Sequence, residues 1–424
     1  MDIMTTLNTA DSCEKRLSAL RQLRQDYEKG TLPAPELADN VNNHIHTIYS
    51  FSPYSPAGAV FSAWKSGLST AGIMDHDSVA GCREFIEAGS IFELAVTVGF
   101  ECRCSVADSP FESKYINNPD QRGIIYASCH GIPHQNIYKA QYWLDPYRLR
   151  RVQRITAMAD NINRLLPLSG IQLDAQSDIL PISQFANGGS VTERHLLCAL
   201  ARKIIAACSS GKEVAVFLHK QLGMQLSEKN LQTVENKYHE EYYEYYLLGI
   251  LKGELTSRFY IEATGECPDI REFLDFTRSI GAIPAYPYLG DVGDSVTGDK
   301  KTQEFEDSFL DQLVPWLKDT GFRALTYMPT RNTEQQLQRL IGMCSQYDLF
   351  QICGEDINTP FQSFICEALR SQGYKHLIQS TWALIGHERA ATLDEQDAMF
   401  SVKTIQRYPD LEQRIQHFAE LGRA

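Results

Sequence analysis

The chain has 424 residues, and at roughly 150 residues per domain this length predicts two to three domains or one large elaborated domain. Lys and Arg total 40 against 53 Asp and Glu, so the formal charge is -13, and long duplex nucleic acid is not an expected partner. A hydrophobic share of 43% with 22% charged residues excludes a disordered or collagen-like chain.

Several sequence features bear on the compartment. The longest apolar run, 196–207, is interrupted by Arg202 and Lys203 and is shorter than the ~20 residues that a membrane helix needs. The N-terminal residues lack the basic start and apolar core of a signal peptide, so we expect a cytoplasmic protein without a membrane partner. The eleven cysteines include no CxxC pair, which favours reduced thiols over a disulfide framework.

The first predicted element is an amphipathic helix over residues 12–29, with Leu17, Leu20 and Leu23 on one side. From Val41 onward, short apolar segments alternate with helical ones, and this alternation predicts βα units in a mainly parallel sheet or barrel.

The pattern then divides the rest of the chain. Helical signals dominate the middle, β signals return at 279–288, 322–329 and 350–356, and the end is helical again. We therefore predict the following divisions: an N-terminal helical extension over 1–40, a barrel over 41–365 with a helix-rich insertion at about 137–275, and a helical tail over 366–424.

Four successive apolar segments end in metal-ligating residue types. His44 and His46 stand two apart, so on a strand both imidazoles face one side and can reach one cation. The next segment ends in Asp75-His76-Asp77, the third in Glu101 and the fourth in His130. Because the carboxyl ends of parallel strands meet at one rim of a barrel, these residues predict a metal-binding catalytic rim.

Three of these residues also have a simpler explanation. Asp77 can cap the following helix, Glu101 can be the first solvated residue after its strand, and His76 can be a rim histidine without a catalytic part. The repetition of the pattern at four strand ends favours the catalytic rim over four separate explanations.

The same motifs, in the same order, resemble the PHP (polymerase and histidinol phosphatase) family, in particular its stand-alone metal-dependent phosphoesterases. The matching segments are HIHT at 44–47, MDHDSVAG at 74–81, GFE at 99–101, CHG at 129–131, SVTERHLLCAL at 190–200 and GEDIN at 354–358. The resemblance spans about 44–358 and implies a distorted TIM-like (β/α)7 barrel of mixed α/β class.

The resemblance also implies a set of metal ligands. One metal would lie among four of them, namely His44, His46, Glu101 and Asp356. Glu101 would bridge to a second metal held by His130 and His195. Imidazole and carboxylate ligands suit Zn, Mn or Fe, so we expect two divalent ions. Such a pair lowers the pKa of a shared water, whose hydroxide would attack the substrate.

This sequence departs from the family pattern at three positions. The aspartate that usually follows the HxH motif is Phe51, the histidine of the AHP strand end is Tyr286, and the last histidine is Asn358. In the family, a third metal is held mainly by the aspartate after HxH, the histidine of the DHD motif and the last histidine. Here the first and the last of these are absent, and only His76 remains. We expect a two-metal site in which His76 binds a weaker ion with Asn358, supports a ligand or carries a proton.

The leading hypothesis is a metal-dependent phosphoesterase that hydrolyses a phosphate ester of a small molecule or short nucleotide, with Glu101 and His76 in catalysis. Arg331 follows a predicted strand end and is expected to bind the substrate anion, with Arg194 and Arg103 as second candidates. The sequence leaves oligomeric state open.

Two alternatives remain at this stage. The same metal pair can attack a carbonyl carbon, so amidohydrolase-like cleavage of a C–N bond is one of them. The second is a catalytically weakened metal-binding or regulatory protein of the family, which the departures at Phe51, Tyr286 and Asn358 suggest.

Overall fold

The computed structural model describes residues 3–36, 38–167, 169–290 and 306–424. In this part of the chain, seven strands form one sheet in sequential order. The strands are β1 (Asn40–Ile45), β2 (Leu68–His76), β3 (Ala95–Ser105), β4 (Ile124–His130), β5 (Ile283–Tyr288), β6 (Ala324–Tyr327) and β7 (Phe350–Cys353).

The sheet curves into a nearly closed barrel. The N–H of His46 donates to the carbonyl of Ile357 at 2.9 Å, and the N–H of Ile357 donates to the carbonyl of His44 at 3.1 Å. A Cβ at Gly354 would lie 2.7 Å from the backbone nitrogen of His44, so glycine permits this close approach. The distorted barrel predicted from the sequence is confirmed.

One strand, β4, is antiparallel to its two neighbours in the sheet. β4 pairs antiparallel with both β3 and β5, whereas the other neighbouring pairs are parallel. The expectation that four polar strand ends meet at one rim is therefore wrong for His130, because the end of a reversed strand points to the opposite mouth. His130 lies deeper in the barrel, next to Cys129, which pairs with Phe100 of β3.

Helices surround the sheet and fill the long connections. Their bounds are α1 (Ile3–Thr9), α2 (Cys13–Glu28), α3 (Pro56–Lys65), α4 (Cys82–Phe92), α5 (Ile137–Leu165), α6 (Glu193–Ala207), α7 (Gly211–Leu222), α8 (Glu228–Asn236), α9 (Tyr243–Phe259), α10 (Ile270–Ser279), α11 (Leu310–Thr320), α12 (Glu334–Gln346), α13 (Lys375–Leu393), α14 (Val402–Arg407) and α15 (Leu411–Arg423). Among the helices described, none combines the length and apolarity required to cross a bilayer.

The N-terminal helix α2 buries the leucine stripe predicted from its sequence, Leu17, Leu20 and Leu23. Ser12 caps the helix by accepting from the N–H of Lys15. On the buried side, Arg16 Nη2 lies 2.5 Å from Glu84 Oε2 of α4. The helix is thereby attached to the outside of the barrel, away from the candidate ligands.

The helices between β4 and β5 have a core of their own. Residues of α5, α6 and α9 such as Ile155, Leu197 and Leu251 form a buried cluster distinct from the barrel core. A buried ionic network joins this insertion to the barrel. Its members are Asp77, Arg103, Arg151, Arg154, Glu193 and Glu266.

Helix α13 covers the amino end of the barrel. Its Glu388 accepts hydrogen bonds from Thr97 Oγ1 at 2.7 Å and from the N–H of Val98 at 2.8 Å. Inward-facing strand residues such as Ile283 and Phe350 pack against Leu384 of the same helix. The segment predicted as a helical tail thus contributes the floor of the barrel, and the opposite end is left for the site.

Candidate metal centre

Three potential ligands converge inside the barrel. Ligand atoms of His44, His46 and Glu101 all lie within 4.8 Å of one another. The Nε2 atoms of His44 and His46 are 3.5 and 3.4 Å from the same Oε1 of Glu101. These distances are longer than ordinary hydrogen bonds, and all three side chains are buried. The arrangement has the ligand types and convergence of a metal site.

Two further predicted residues border this group. Asp356 follows β7, and its Oδ1 lies 3.2 Å from His46 Nε2. His76 ends β2, and its Nδ1 lies 3.1 Å from Glu101 Oε1. The ring of His76 also stacks on that of His46, with centroids 4.7 Å apart. The structure therefore brings five of the predicted site residues together.

His130 reaches the barrel interior in spite of the reversed strand. Glu101 pairs with Ser128 across the antiparallel ladder, so the two side chains share a face. His130 stands two residues after Ser128 and lies on that same face. Its side chain is buried, and neither ring nitrogen makes a hydrogen bond. A buried imidazole without a partner is costly, and a bound cation would satisfy it.

The structure does not bring His195 into the group of His44, His46 and Glu101. His195 occupies the third position of α6, where it forms a capping box with Thr192. The N–H of Thr192 donates to its Nδ1 at 3.0 Å. Because Nδ1 is an acceptor, the neutral ring carries its hydrogen on Nε2. His195 therefore has a structural role in this arrangement, and its assignment as a ligand stays a prediction.

The charge states suit cation binding. Burial opposes ionisation of Glu101, but the neighbouring His76 and His44 lower its pKa to about 2. Burial likewise opposes ionisation of Asp356, and His46 holds its pKa well below the ordinary value. Burial lowers the pKa of His130 to about 3. At neutral pH the carboxylates are charged and this imidazole is neutral, which are the forms that bind metals.

A cleft of about 890 Å³, part of it open to solvent, gives access to the group. Three cationic side chains line it, namely Arg194 at the start of α6, Lys252 on α9 and Arg331 after β6. Arg331 is therefore placed where the sequence analysis expects it. Arg103, a second candidate for the anion site, instead pairs with Glu193 at 2.8 Å in the buried ionic network.

Asn358, the residue in place of the last family histidine, is held by two polar partners. Its Nδ2 donates to Asp356 Oδ1 at 2.7 Å, and its Oδ1 accepts from Arg194 Nη1 at 2.8 Å. The amide therefore orients a candidate ligand and positions a guanidinium at the wall of the cleft.

The other two departures are packed into the structure. Phe51 is 8% exposed, and its ring lies edge-on to His195 with centroids 5.0 Å apart and 5.7 Å from that of Tyr245. Tyr286 is fully buried and donates a hydrogen bond to Glu306. Each replacement supports packing where the family pattern has a polar residue.

Sequence reasoning missed several residues of the cleft. Lys252 lies on an insertion helix without a recognisable motif, so nothing in the sequence connects it with the candidate ligands. Tyr126 also lines the cleft, and its ring lies 5.8 Å from that of His76. Its position four residues before His130 on a strand could have revealed that both share a face.

Comparisons with known proteins support the fold. No protein-family model matches the chain, and no curated protein matches it. One similar solved structure is a Bifidobacterium adolescentis protein to which metal-dependent phosphoesterase activity is ascribed, with TM-score 0.50, 16% identity and coverage of 82% of this chain and 98% of that chain. Another is an amidohydrolase from Chromobacterium violaceum with bound sulfate and no metal, with TM-score 0.50, 12% identity and coverage of 77% and 90%. At these identities the likeness establishes a shared fold.

Proposed function

We propose that this protein is a metal-dependent hydrolase that cleaves a phosphate ester of a small molecule or short nucleotide. The observation that carries the proposal is one cleft in which histidines and ionised carboxylates converge beside three cationic side chains. The first set provides the ligands of a divalent cation. The second provides charge complementary to a phosphate group.

The donor set fits a pair of divalent ions of Zn, Mn or Fe. His44, His46, Glu101 and Asp356 would hold one ion, and Glu101, His130 and His195 the other. The two unpartnered ring nitrogens of His130 support the second position. His195 would have to release its hydrogen bond with Thr192 to take part. Bound there, the ions would acidify a water and offset the charge that builds on the phosphoryl group.

The side chains of the cleft have separate tasks in this proposal. Arg194, Lys252 and Arg331 bind and orient the phosphate through charge-assisted hydrogen bonds. His76 has its Nδ1 beside Glu101, which leaves Nε2 to accept a proton from the attacking water and to donate it to the departing oxygen of the ester. Burial lowers the pKa of His76 to about 3, so the ring is neutral at the start and able to accept the proton of the water.

A second candidate function is the cleavage of a C–N bond. It is motivated by the structural likeness to the amidohydrolase from Chromobacterium violaceum. The cationic wall of the cleft favours the phosphate ester, because a neutral amide substrate has no charge for three cations to match.

The first experiment is elemental analysis of protein purified without a chelator or a histidine tag. We expect about two equivalents of metal per chain; three would place an additional ion near His76 and Asn358. A panel of phosphate esters and amides is then assayed with that metal. Ester hydrolysis that a chelator abolishes would support the proposal, whereas turnover of amides alone would contradict it. One equivalent or none, without turnover, would favour the regulatory alternative.

A further inference from the structure

We propose that Asp75, acting through Ser50, is a positioning residue that fixes the tautomer of His46. This inference rests on the metal centre of the proposed function and does not depend on the substrate. Asp75 and Ser50 have no atoms in the cleft, and they lie behind His46 on the side away from Glu101.

A short hydrogen-bonded chain connects the three residues. Ser50 Oγ is 2.6 Å from Asp75 Oδ1 and 3.2 Å from His46 Nδ1. All three side chains are almost completely buried. The carboxylate is held in turn by Thr47, whose N–H and Oγ1 donate to Oδ1 and Oδ2 at 2.7 and 2.6 Å. Asp75 is therefore fixed by three donors and cannot rotate away from Ser50.

The positions of the hydrogens follow from these distances. Two oxygens at 2.6 Å need a hydrogen between them. Burial raises the pKa of Asp75, but its two oxygens accept from the N–H and the hydroxyl of Thr47, and these donors favour the carboxylate form, which has no hydrogen to give. The single hydroxyl hydrogen of Ser50 therefore points to Asp75. Ser50 Oγ can then only accept from His46, so Nδ1 of His46 carries the ring hydrogen. The neutral ring consequently has its lone pair on Nε2.

This lone pair is directed at the candidate metal position. Nε2 of His46 lies between Glu101 Oε1 at 3.4 Å and Asp356 Oδ1 at 3.2 Å. Three acceptors that face one another repel unless a cation lies among them. His195 shows the opposite arrangement, since its Nδ1 accepts a hydrogen bond and its Nε2 carries the hydrogen. The hydrogen bonds therefore prepare His46, and not His195, as an Nε2 ligand.

The tautomer can be observed directly. We would label the full-length protein with ¹⁵N-histidine, remove metal with a chelator, and record long-range ¹H–¹⁵N correlations, using His46→Gln to identify the signals of His46. The spectra are followed upward in pH until the ring carries a single hydrogen. We then expect a protonated Nδ1 and an unprotonated Nε2. A singly protonated ring with its hydrogen on Nε2, or an equal mixture of both tautomers, would overturn the proposal. This measurement is informative even if no metal binds and no substrate is turned over.

Variants test the effect on metal affinity, measured by competition of Zn²⁺ against a chromophoric chelator. Ser50→Ala should lose about 10- to 100-fold in affinity, as is typical for a group that orients a ligand, whereas Ser50→Thr keeps the hydroxyl and should restore it. Ser183→Ala removes another buried serine, which donates to the carbonyl of Leu180 and accepts from the N–H of Phe185, and should leave the metal affinity unchanged. Equal affinities for Ser50→Ala and Ser183→Ala would contradict the proposal.

The role of Asp75 is tested by a double-mutant cycle. If Asp75 acts through Ser50, then adding Asp75→Asn to Ser50→Ala should cost no further affinity. Independent losses that add would instead show that Asp75 acts by another route. Circular dichroism shows which variants fold. If a variant does not fold, the tautomer of His46 in the unaltered protein still decides the proposal.

Discussion

Arg194 donates a hydrogen bond from Nη1 to Oδ1 of Asn358 at 2.8 Å, and this contact joins the helical insertion to the loop that carries Asp356. Asn358 passes the contact on to Asp356 through its Nδ2. A side chain of the insertion thus positions a candidate ligand of the barrel. The insertion is therefore part of the site and not only a neighbour of it.

Loss of Arg194 should weaken substrate binding. We expect Arg194→Ala to raise the KM for a phosphate ester about tenfold, because the cleft loses a cation and the Oδ1 of Asn358 loses its donor. Steady-state kinetics in the metal-loaded enzyme measure the change. Lys229→Ala on the exposed face of α8 is the control and should leave KM unaltered. An equal KM for both variants would remove Arg194 from the site.

Glu101 is the residue on which His44, His46 and His76 converge. Replacement by Gln should reduce bound metal to a trace and hydrolysis by more than about 100-fold, since a neutral amide binds cations poorly. The fold should persist, because among the described residues this carboxylate contacts His44, His46 and His76, which belong to the candidate site. Elemental analysis and an activity assay provide the readout, with exposed Glu254→Gln as control. Full activity in Glu101→Gln would refute the assigned centre.

Introducing an aspartate at position 51, as in the PHP pattern that the sequence resembles, should destabilise the protein. Phe51 packs in the core of the insertion, so Phe51→Asp buries a carboxylate among apolar side chains and removes a large ring. We expect a loss of about 3–5 kcal/mol in the free energy of unfolding and no gain in metal content. Urea denaturation measures the free energy of unfolding, and elemental analysis measures the metal content. A stable variant with an additional metal would show that the site can still take a third ion.

The buried ionic network should be essential for stability. Glu266 contacts Arg151 at 3.1 Å and Arg154 at 2.7 Å, and Glu266→Gln would leave buried cations without full compensation. Breaking a buried pair from one side costs about 3–5 kcal/mol, which urea denaturation can detect. Glu262→Gln, an exposed neighbour, is the control. Equal stability of the two variants would show that the network has little energetic weight.

His387 should make the protein sensitive to acid. It is buried, its Nδ1 accepts from the N–H of Met399, and its Nε2 donates to the carbonyl of Gly131. Burial lowers its pKa to about 4, whereas the unfolded histidine has an ordinary pKa near 6.5. Between these values the unfolded state binds the extra proton, so stability falls as pH decreases, by about 1.4 kcal/mol per pH unit.

The check is urea denaturation at several pH values between 7 and 4. His387→Asn keeps a donor and an acceptor but cannot titrate in this range. With decreasing pH, its free energy of unfolding should therefore fall less steeply than that of the unaltered protein, by about 1.4 kcal/mol per pH unit. Identical pH dependence in the two proteins would show that His387 does not cause the sensitivity.

Much of the centre could be predicted because strands have a period of two. His44 and His46 share a face for that reason, and Glu101 ends the apolar part of β3, which is separated from β1 by β2. The direction of β4 could not be predicted, since an alternating strand has the same pattern in both directions. The connection over 106–123 is long enough for either a crossover or a wide hairpin.

Other features depend on contacts between distant segments. Lys252 enters the cleft only because the insertion packs against the barrel, and its helix has no motif that reveals this. The spacing of Thr192 and His195 fits a capping box as well as a ligand position. The sequence pattern alone cannot decide which partner the imidazole takes.

The position of α13 has a consequence for biosynthesis. A ribosome has already produced all seven strands when it reaches Cys353, but the helix that covers the floor begins only at Lys375. Until that helix is available, apolar side chains such as Phe350 lack the apolar cover that Leu384 provides at the amino end of the barrel. A nascent chain halted between Asp356 and Lys375 would contain every candidate ligand and still lack a sealed barrel. We therefore expect the metal to be acquired after translation has passed α13, and not during synthesis of the strands.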